Sequence, residues 1–334
     1  MIRVISTFLI LGCLLLLQCG TPTDPESLVG GTGGYTVVAR YATAGYAQDV
    51  VVNDTLAFIA QGEGGLMIVG MSNPSAPNTL AIITGDMRGY SYKIAYKDSV
   101  IYLAAGNFGV SVVDVSNPRN PLVTATNLAM KPARDFHVMG NFLFTTISEL
   151  GVKISEISYP QQPDIRGGMY TPGFARGICA SSDSNFILVT CGEMGLAVYD
   201  ITDLQNGFGT YQITGWIDTP GYAEDVVSHP SLPYAFVASG TGGMYVIDFS
   251  DAENPEIIGS YNTGGYAKEI LYKDNRVYVT TELRGLQIFD VSDVTAPVKI
   301  GTIETEFALG LSIDENYVYV ADDQEGLIIV AIPQ

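Results

Sequence analysis

Arg134 and Arg176 are the side chains of this sequence best suited to grip a ligand. A guanidinium presents a planar fork of N–H donors that fits a carboxylate or a phosphate. The two stand in a chain with 35 Asp and Glu against 16 Lys and Arg, a formal charge of −19. Either they clamp one anion between them, or each is paired off by a neighbour such as Asp135, Glu149 or Glu193. Other residues with chemistry to offer are few. Glu63, Glu149, Glu193, Glu282 and Glu325 recur in the loops before glycines, as a cation-binding rim or a merely solvated one. Only two histidines are present, His137 and His229, so a histidine acid–base site is hard to assemble. Cys179 and Cys191 share no metal-ligand spacing with them. They flank a turn at Ser182–Asn185, either as a cross-strand disulfide or as two half-buried thiols. There is no G-x-S-x-G elbow, H-E-x-x-H pair or P-loop. Asp322-Asp323-Gln324-Glu325-Gly326 is acidic but is not an EF-hand loop. No catalytic residue, metal or cofactor is assigned, and carboxylate-only chemistry is the route left open.

What positions these residues is repetition. Three phrases recur in fixed order. The first is a small residue, an aromatic and another small residue: Gly45-Tyr46-Ala47, Gly89-Tyr90-Ser91, Gly173-Phe174-Ala175, Gly221-Tyr222-Ala223 and Gly265-Tyr266-Ala267, with degenerate copies at Lys131-Pro132-Ala133 and Glu306-Phe307-Ala308. The second is a glycine opening an apolar run, at Gly65, Gly109, Gly151, Gly195, Gly243, Gly285 and Gly326. The third is a turn such as Asp114-Val115-Ser116-Asn117-Pro118, echoed at Asp248-Phe249-Ser250-Asp251 and Asp290-Val291-Ser292-Asp293. The period is about 40–45 residues, which with four short strands per unit is the propeller signature. In the fifth unit the strands are expected at Glu224–Ser228, Tyr234–Ala238, Gly243–Phe249 and Glu256–Tyr261. No segment sustains a helical period.

Residues 35–334 therefore read as an all-β domain, a seven-bladed β-propeller of four-stranded blades. The seventh unit stops after its third strand, and Tyr35-Thr36-Val37-Val38-Ala39-Arg40-Tyr41 looks like the fourth strand Ile257–Tyr261. The N-terminal strand is expected to complete the last blade and leave no open seam. Residues two places after each aromatic break the repeat: Gln48, Tyr92, Arg134, Arg176, Glu224, Lys268 and Leu309. They should point to the channel mouth, and the polar six form the candidate ligand-binding rim. The aromatics themselves read as wedges between blades, with a sugar or peptide platform as the functional alternative. The phrases Val112-Val113-Asp114-Val115-Ser116-Asn117-Pro118 and Ile288-Phe289-Asp290-Val291-Ser292-Asp293 resemble the LVIVD-repeat family of bacterial surface proteins. The third, fourth and seventh units depart most from it. The resemblance implies the fold and little about activity.

Residues 1–19 are an address. Arg3 precedes an apolar run from Val4 to Leu17, too short to span a bilayer, as in a signal peptide. Leu16-Leu17-Gln18-Cys19 resembles a bacterial lipobox, which implies lipidation at Cys19. Residues 20–34, GTPTDPESLVGGTGG, read as a flexible linker. Thr21 in place of Asp, by the same resemblance, implies the outer membrane or cell surface. The acidic balance excludes a nucleic-acid binder, and the membrane is expected to be met only through the N-terminal lipid. The expected function is an exported envelope lipoprotein acting as a binding or scaffold module for a protein or glycan ligand. The alternatives are an exported hydrolase or lyase with its site at the channel mouth, and a purely structural envelope component.

Overall fold

Runs of five or six residues rich in Val, Ile, Leu and Tyr, each stopped by a turn, form strands. In a computed structural model, which describes residues 31–334 apart from Asp86, Arg88 and 205–208, they form seven antiparallel blades. Blade 1 comprises Asp49–Asn53, Leu56–Ala60, Leu66–Gly70 and Asn78–Ile83. Blade 5 comprises Asp225–Ser228, Tyr234–Ala238, Met244–Asp248 and Glu256–Tyr261, within a residue of expectation at each end. The inner strands touch in sequence from blade 1 to blade 7, and the strand Ala308–Ile313 of blade 7 packs against Asp49–Asn53, closing the ring. Middle strands such as Leu66–Gly70 and Val100–Ala104 are buried along their whole length, because both faces are covered by neighbouring blades. Outer strands such as Leu122–Asn127 alternate between exposed and half-buried. A short 3-10 turn lies at Leu128–Met130.

The recurring glycine of the second phrase has a single geometric cause. At Gly65, Gly109, Gly151, Gly195, Gly243, Gly285 and Gly326 φ is between +70° and +86°. A Cβ there would lie 2.1 to 2.4 Å from a carbonyl oxygen of the adjoining outer strand, as at Gly109 against Asn127 O (2.1 Å) and Gly326 against Tyr41 O (2.4 Å). The recurring Asp of the third phrase closes a turn. Asp114, Asp248 and Asp290 each accept through Oδ1 the amide of the residue two places on, at 2.8–2.9 Å. The Ser116 hydroxyl and amide hold the Asp114 carboxyl below the usual range, and the Ser292 amide and hydroxyl do the same for Asp290.

The N-terminal strand Thr36–Tyr41 is the fourth strand of blade 7, antiparallel to Gly326–Ala331, with Thr36 opposite Ala331 and Tyr41 opposite Leu327. Just before it, Gly31–Gly34 forms a turn whose Gly31 carbonyl accepts from Thr302 N (3.0 Å) of blade 6. One strand was not foreseen. Thr210–Tyr211, in the connection after the third strand of blade 4, pairs in parallel with the outer strand Asp164–Met169 of blade 3. Gly167 and Gly168 admit it: Gly209 O accepts from Gly168 N (3.1 Å) and lies 2.3 Å from where a Gly167 Cβ would sit. The long interval from Gly195 to Gly243 was its trace in the sequence.

The proposed signal peptide, Cys19 and most of the linker lie outside the described residues. No helix among the described residues is long and apolar enough to cross a membrane.

Candidate functional site

The inner strands begin with two tiers of side chains at one end of the channel. The deeper tier is set one residue after the rim: Asp49, Lys93, Asp135, Asp225 and Glu269, with Gly177 and Gly310 in blades 4 and 7. Three of the carboxylates tie neighbouring blades together. Asp49 Oδ2 accepts from Ile94 N (2.9 Å), Asp135 Oδ2 from Ile178 N (3.2 Å) and Asp225 Oδ2 from Ile270 N (3.0 Å). The two glycines make room for them. A Cβ at Gly177 would stand 2.4 Å from Asp225 Oδ1, and one at Gly310 2.5 Å from Asp49 Cα. Lys93 Nζ reaches Glu269 Oε2 (2.5 Å) across the ring and Asp49 Oδ1 (3.6 Å) beside it. Burial raises the carboxyls of Asp49, Asp225 and Glu269 above their ordinary range, and pushes Asp135 up to about 7. Burial also works against the Lys93 ammonium, but Asp49 and Glu269 outweigh it and hold it charged.

The upper tier is the rim. Gln48, Tyr92, Arg134, Arg176, Glu224, Lys268 and Leu309 all line one cavity of about 460 Å³ at the channel mouth. Glu224 is its hub. It accepts from Arg176 Nη2 (3.2 Å), Lys268 Nζ (3.0 Å) and Tyr266 OH (2.7 Å). Burial pushes this carboxyl up, yet Lys268 and Arg176 prevail and hold it below the usual range. Gln48 donates to Asp323 Oδ1 (2.8 Å) across the blade 7–blade 1 seam. The backbone that carries the hub is pinned by threonines of preceding blades: Thr146 Oγ1 donates to Arg176 O (2.7 Å) and Thr190 Oγ1 to Glu224 O (3.2 Å).

The two arginines differ. Both guanidiniums lie over tyrosine rings, Arg134 on Tyr92 and Arg176 on Tyr222, each at 5.2 Å. Arg176 is paired with Glu224, whereas Arg134 has no ion pair among the described residues. The Nε of each is buried without a hydrogen-bond partner. Neither is neutralised by Asp135, Glu149 or Glu193, the neighbours named for that role.

The sequence profile described as LVIVD repeat matches residues 44–84, 88–126, 220–263, 264–305 and 308–332, more than half of the chain. The chain belongs to the LVIVD-repeat family. No curated protein matches it. Solved structures similar to this LVIVD propeller include the WD40 β-propeller domain of Doa1, at 10% identity and a TM-score of 0.70, covering 90% of this chain and 98% of that one. Another is a chain of the mitotic checkpoint complex, at 11% identity and 0.67, covering 90% and 95%. The computationally designed Ika8 protein stands at 10% identity and 0.61, covering 90% and 100%. At such identities the likeness is one of fold alone.

The LVIVD profile leaves blades 3 and 4 unmatched, and these carry Arg134 and Arg176. The seventh unit, which departs from the motif at its turn, is matched. Of the aromatic wedges, Tyr90, Tyr222 and Tyr266 sit where a Cβ on Gly62, Gly192 or Gly240 of the preceding blade would be, while Tyr46 and Phe174 are half exposed. Glu63, Glu149 and Glu193 are solvated, Glu325 pairs with Arg40, and Glu282 lines the mouth, where burial raises its carboxyl. Cys179 and Cys191 are buried thiols without a disulfide, each packed in a different apolar cluster. Burial raises both thiols, Cys191 up to about 12, which disfavours the thiolate form. Among the described residues, no group of three His, Cys, Asp or Glu is arranged to hold a metal. The deeper charged tier is what sequence reasoning missed. Its signal was a charged residue at or just before the start of five of the seven inner strands.

Proposed function

We propose that this LVIVD propeller is an exported, lipid-anchored binding or scaffold module that holds an acidic group of a protein or glycan partner at the channel mouth. A propeller of LVIVD repeats is the architecture of an interaction or scaffold module. The observation that carries the finer reading is Arg134, stacked on Tyr92 at the mouth with its charge unpaired and its Nε orphaned. A partly buried cation without a counter-ion is costly, and an anionic ligand relieves it. The hydrolase or lyase reading draws on Asp135, whose carboxyl near pH 7 would suit a general base. Binding is favoured over it because both Asp135 oxygens are already engaged, by Phe136 N (2.7 Å) and Ile178 N (3.2 Å).

Arg134→Ala removes the positive group without orphaning a carboxylate. The variant is expected to recover at least ten-fold less partner than the parent in a pull-down from envelope extract, with unchanged melting. Equal recovery refutes the mouth as the site, and recovery of nothing by the parent favours a purely structural role. Lipid anchoring has its own check. Cys19→Ala should abolish incorporation of a labelled fatty acid and release the protein from the membrane fraction; undiminished labelling refutes Cys19 as the anchor.

A further inference from the structure

Away from the mouth, between blades 6 and 7, lies a second cavity of about 660 Å³ that shares none of the residues lining the first. Three polar groups in its wall lack partners. Gln287 is 2% exposed; its amide is oriented by Nε2 donating to Thr263 O (2.7 Å), which leaves Oε1 buried with nothing to accept from. Thr305 Oγ1 is likewise buried and unpartnered. Lys299, 8% exposed, has no ion pair among the described residues.

The Lys299 ammonium sets blade 6 apart from the blades that share its register. The strand register places Lys299 opposite Phe289, and the corresponding outer-strand residues are Thr79, Val123, Ile165 and Ile257 in blades 1, 2, 3 and 5. Thr or an aliphatic residue satisfies the fold there, so the blade does not require an ammonium. The orphaned Gln287 Oε1 and Thr305 Oγ1 carry a desolvation penalty that a ligand would relieve, and beside them stands an ammonium that the repeat does not demand.

We propose that this cavity binds a hydroxylated carboxylate of the uronic-acid type. Of the three cations in the wall, Arg40 is already paired with Glu325 and Arg284 is engaged as well, so among the described residues Lys299 brings the one uncommitted charge, which matches one carboxylate better than a doubly charged phosphate, and Glu304 at the rim adds to that preference. Gln287 Oε1 accepts from a ligand hydroxyl, and Thr305 serves as donor or acceptor. Leu283, 75% exposed at the lip, offers an apolar patch to the C–H face of a sugar ring. The volume lies within the usual range of ligand pockets. The site is independent of the mouth.

The test titrates the mature protein with glucuronate, glucose and inorganic phosphate, followed by NMR or calorimetry. Glucuronate is expected to bind saturably and at least ten-fold more tightly than either control. Lys299→Met and Leu283→Asp should each weaken it at least ten-fold, whereas Arg134→Ala should leave it unchanged. Leu283 is exposed, so its variant keeps the test sound if Lys299→Met fails to fold. Glucuronate binding no tighter than glucose, phosphate binding more tightly, or binding lost in Arg134→Ala and kept in Leu283→Asp overturns the proposal.

Discussion

Deleting residues 35–42 is expected to lower the melting temperature by about 10 °C or more and to turn much of the protein into aggregates or edge-paired oligomers. Among the described residues, the strand Thr36–Tyr41 is the only partner of Gly326–Ala331 on its outer side. Leu327, Ile328, Ile329 and Val330 are fully buried in the intact ring. Without their cover, a long, flat, apolar edge is exposed, which is the template for pairing between chains. The deletion also removes Tyr35, 2% exposed, whose hydroxyl meets Tyr278 OH (2.9 Å) and accepts from Arg276 Nη1 (3.2 Å) in blade 6. Tyr35→Ala alone should cost about 3–5 kcal/mol, the usual range for emptying a buried aromatic site. Scanning calorimetry and size-exclusion chromatography read both effects. A deletion variant that stays monomeric and melts with the parent would show that the seam is closed by something else.

Lys93→Met is expected to destabilise the protein by about 3–5 kcal/mol at pH 8, the usual penalty for removing one partner of a buried charge group, and by less than half as much at pH 5. Lys93 is the cation within the ring of Asp49, Asp135, Asp225 and Glu269. Burial raises all four carboxyls in the folded state, Asp135 to about 7. The folded chain therefore holds protons that the unfolded chain releases. That contribution to stability is complete below the ordinary carboxylate range and is lost as the pH rises through about 7. Removing Lys93 takes away the attraction that limited these shifts, so the loss on going from pH 5 to pH 8 becomes steeper. His137, pushed down to about 4 by burial, works the other way by destabilising the fold on acidification. Because it does so equally in parent and variant, the difference between their urea-unfolding curves isolates the ring. A penalty that is the same at both pH values, or absent, would mean that the carboxylates do not depend on Lys93.

Much of this molecule could be read directly because its instructions are local and repeated. Gly109 must be glycine on account of its own φ of +76° and the next strand's carbonyl, both within one blade. Asp290 closes a turn with Ser292, two residues away. Seven copies of such rules mark out the blades, and counting strands exposed the unpaired end that Thr36–Tyr41 completes. The rim was legible too, since Gln48, Tyr92, Arg134, Arg176, Glu224 and Lys268 hold equivalent places and a ring brings equivalent places together.

Which charges meet within that ring was decided only by tertiary structure. Arg134 and Arg176 look alike in sequence, but Arg176 finds Glu224 on the next blade while Arg134 finds only the Tyr92 ring. Lys93 and Glu269 are separated by most of the chain and meet across the channel. Thr210–Tyr211 reaches back over blade 4 to a strand whose paired glycines admit it. Lys299 and Gln287 share a cavity that also takes in Tyr35 and Val37 from the far end of the chain. The repeat determined the scaffold because short-range sterics and hydrogen bonds act within a single unit. The pairing of charges depends on distances across the closed ring, and only closure sets those.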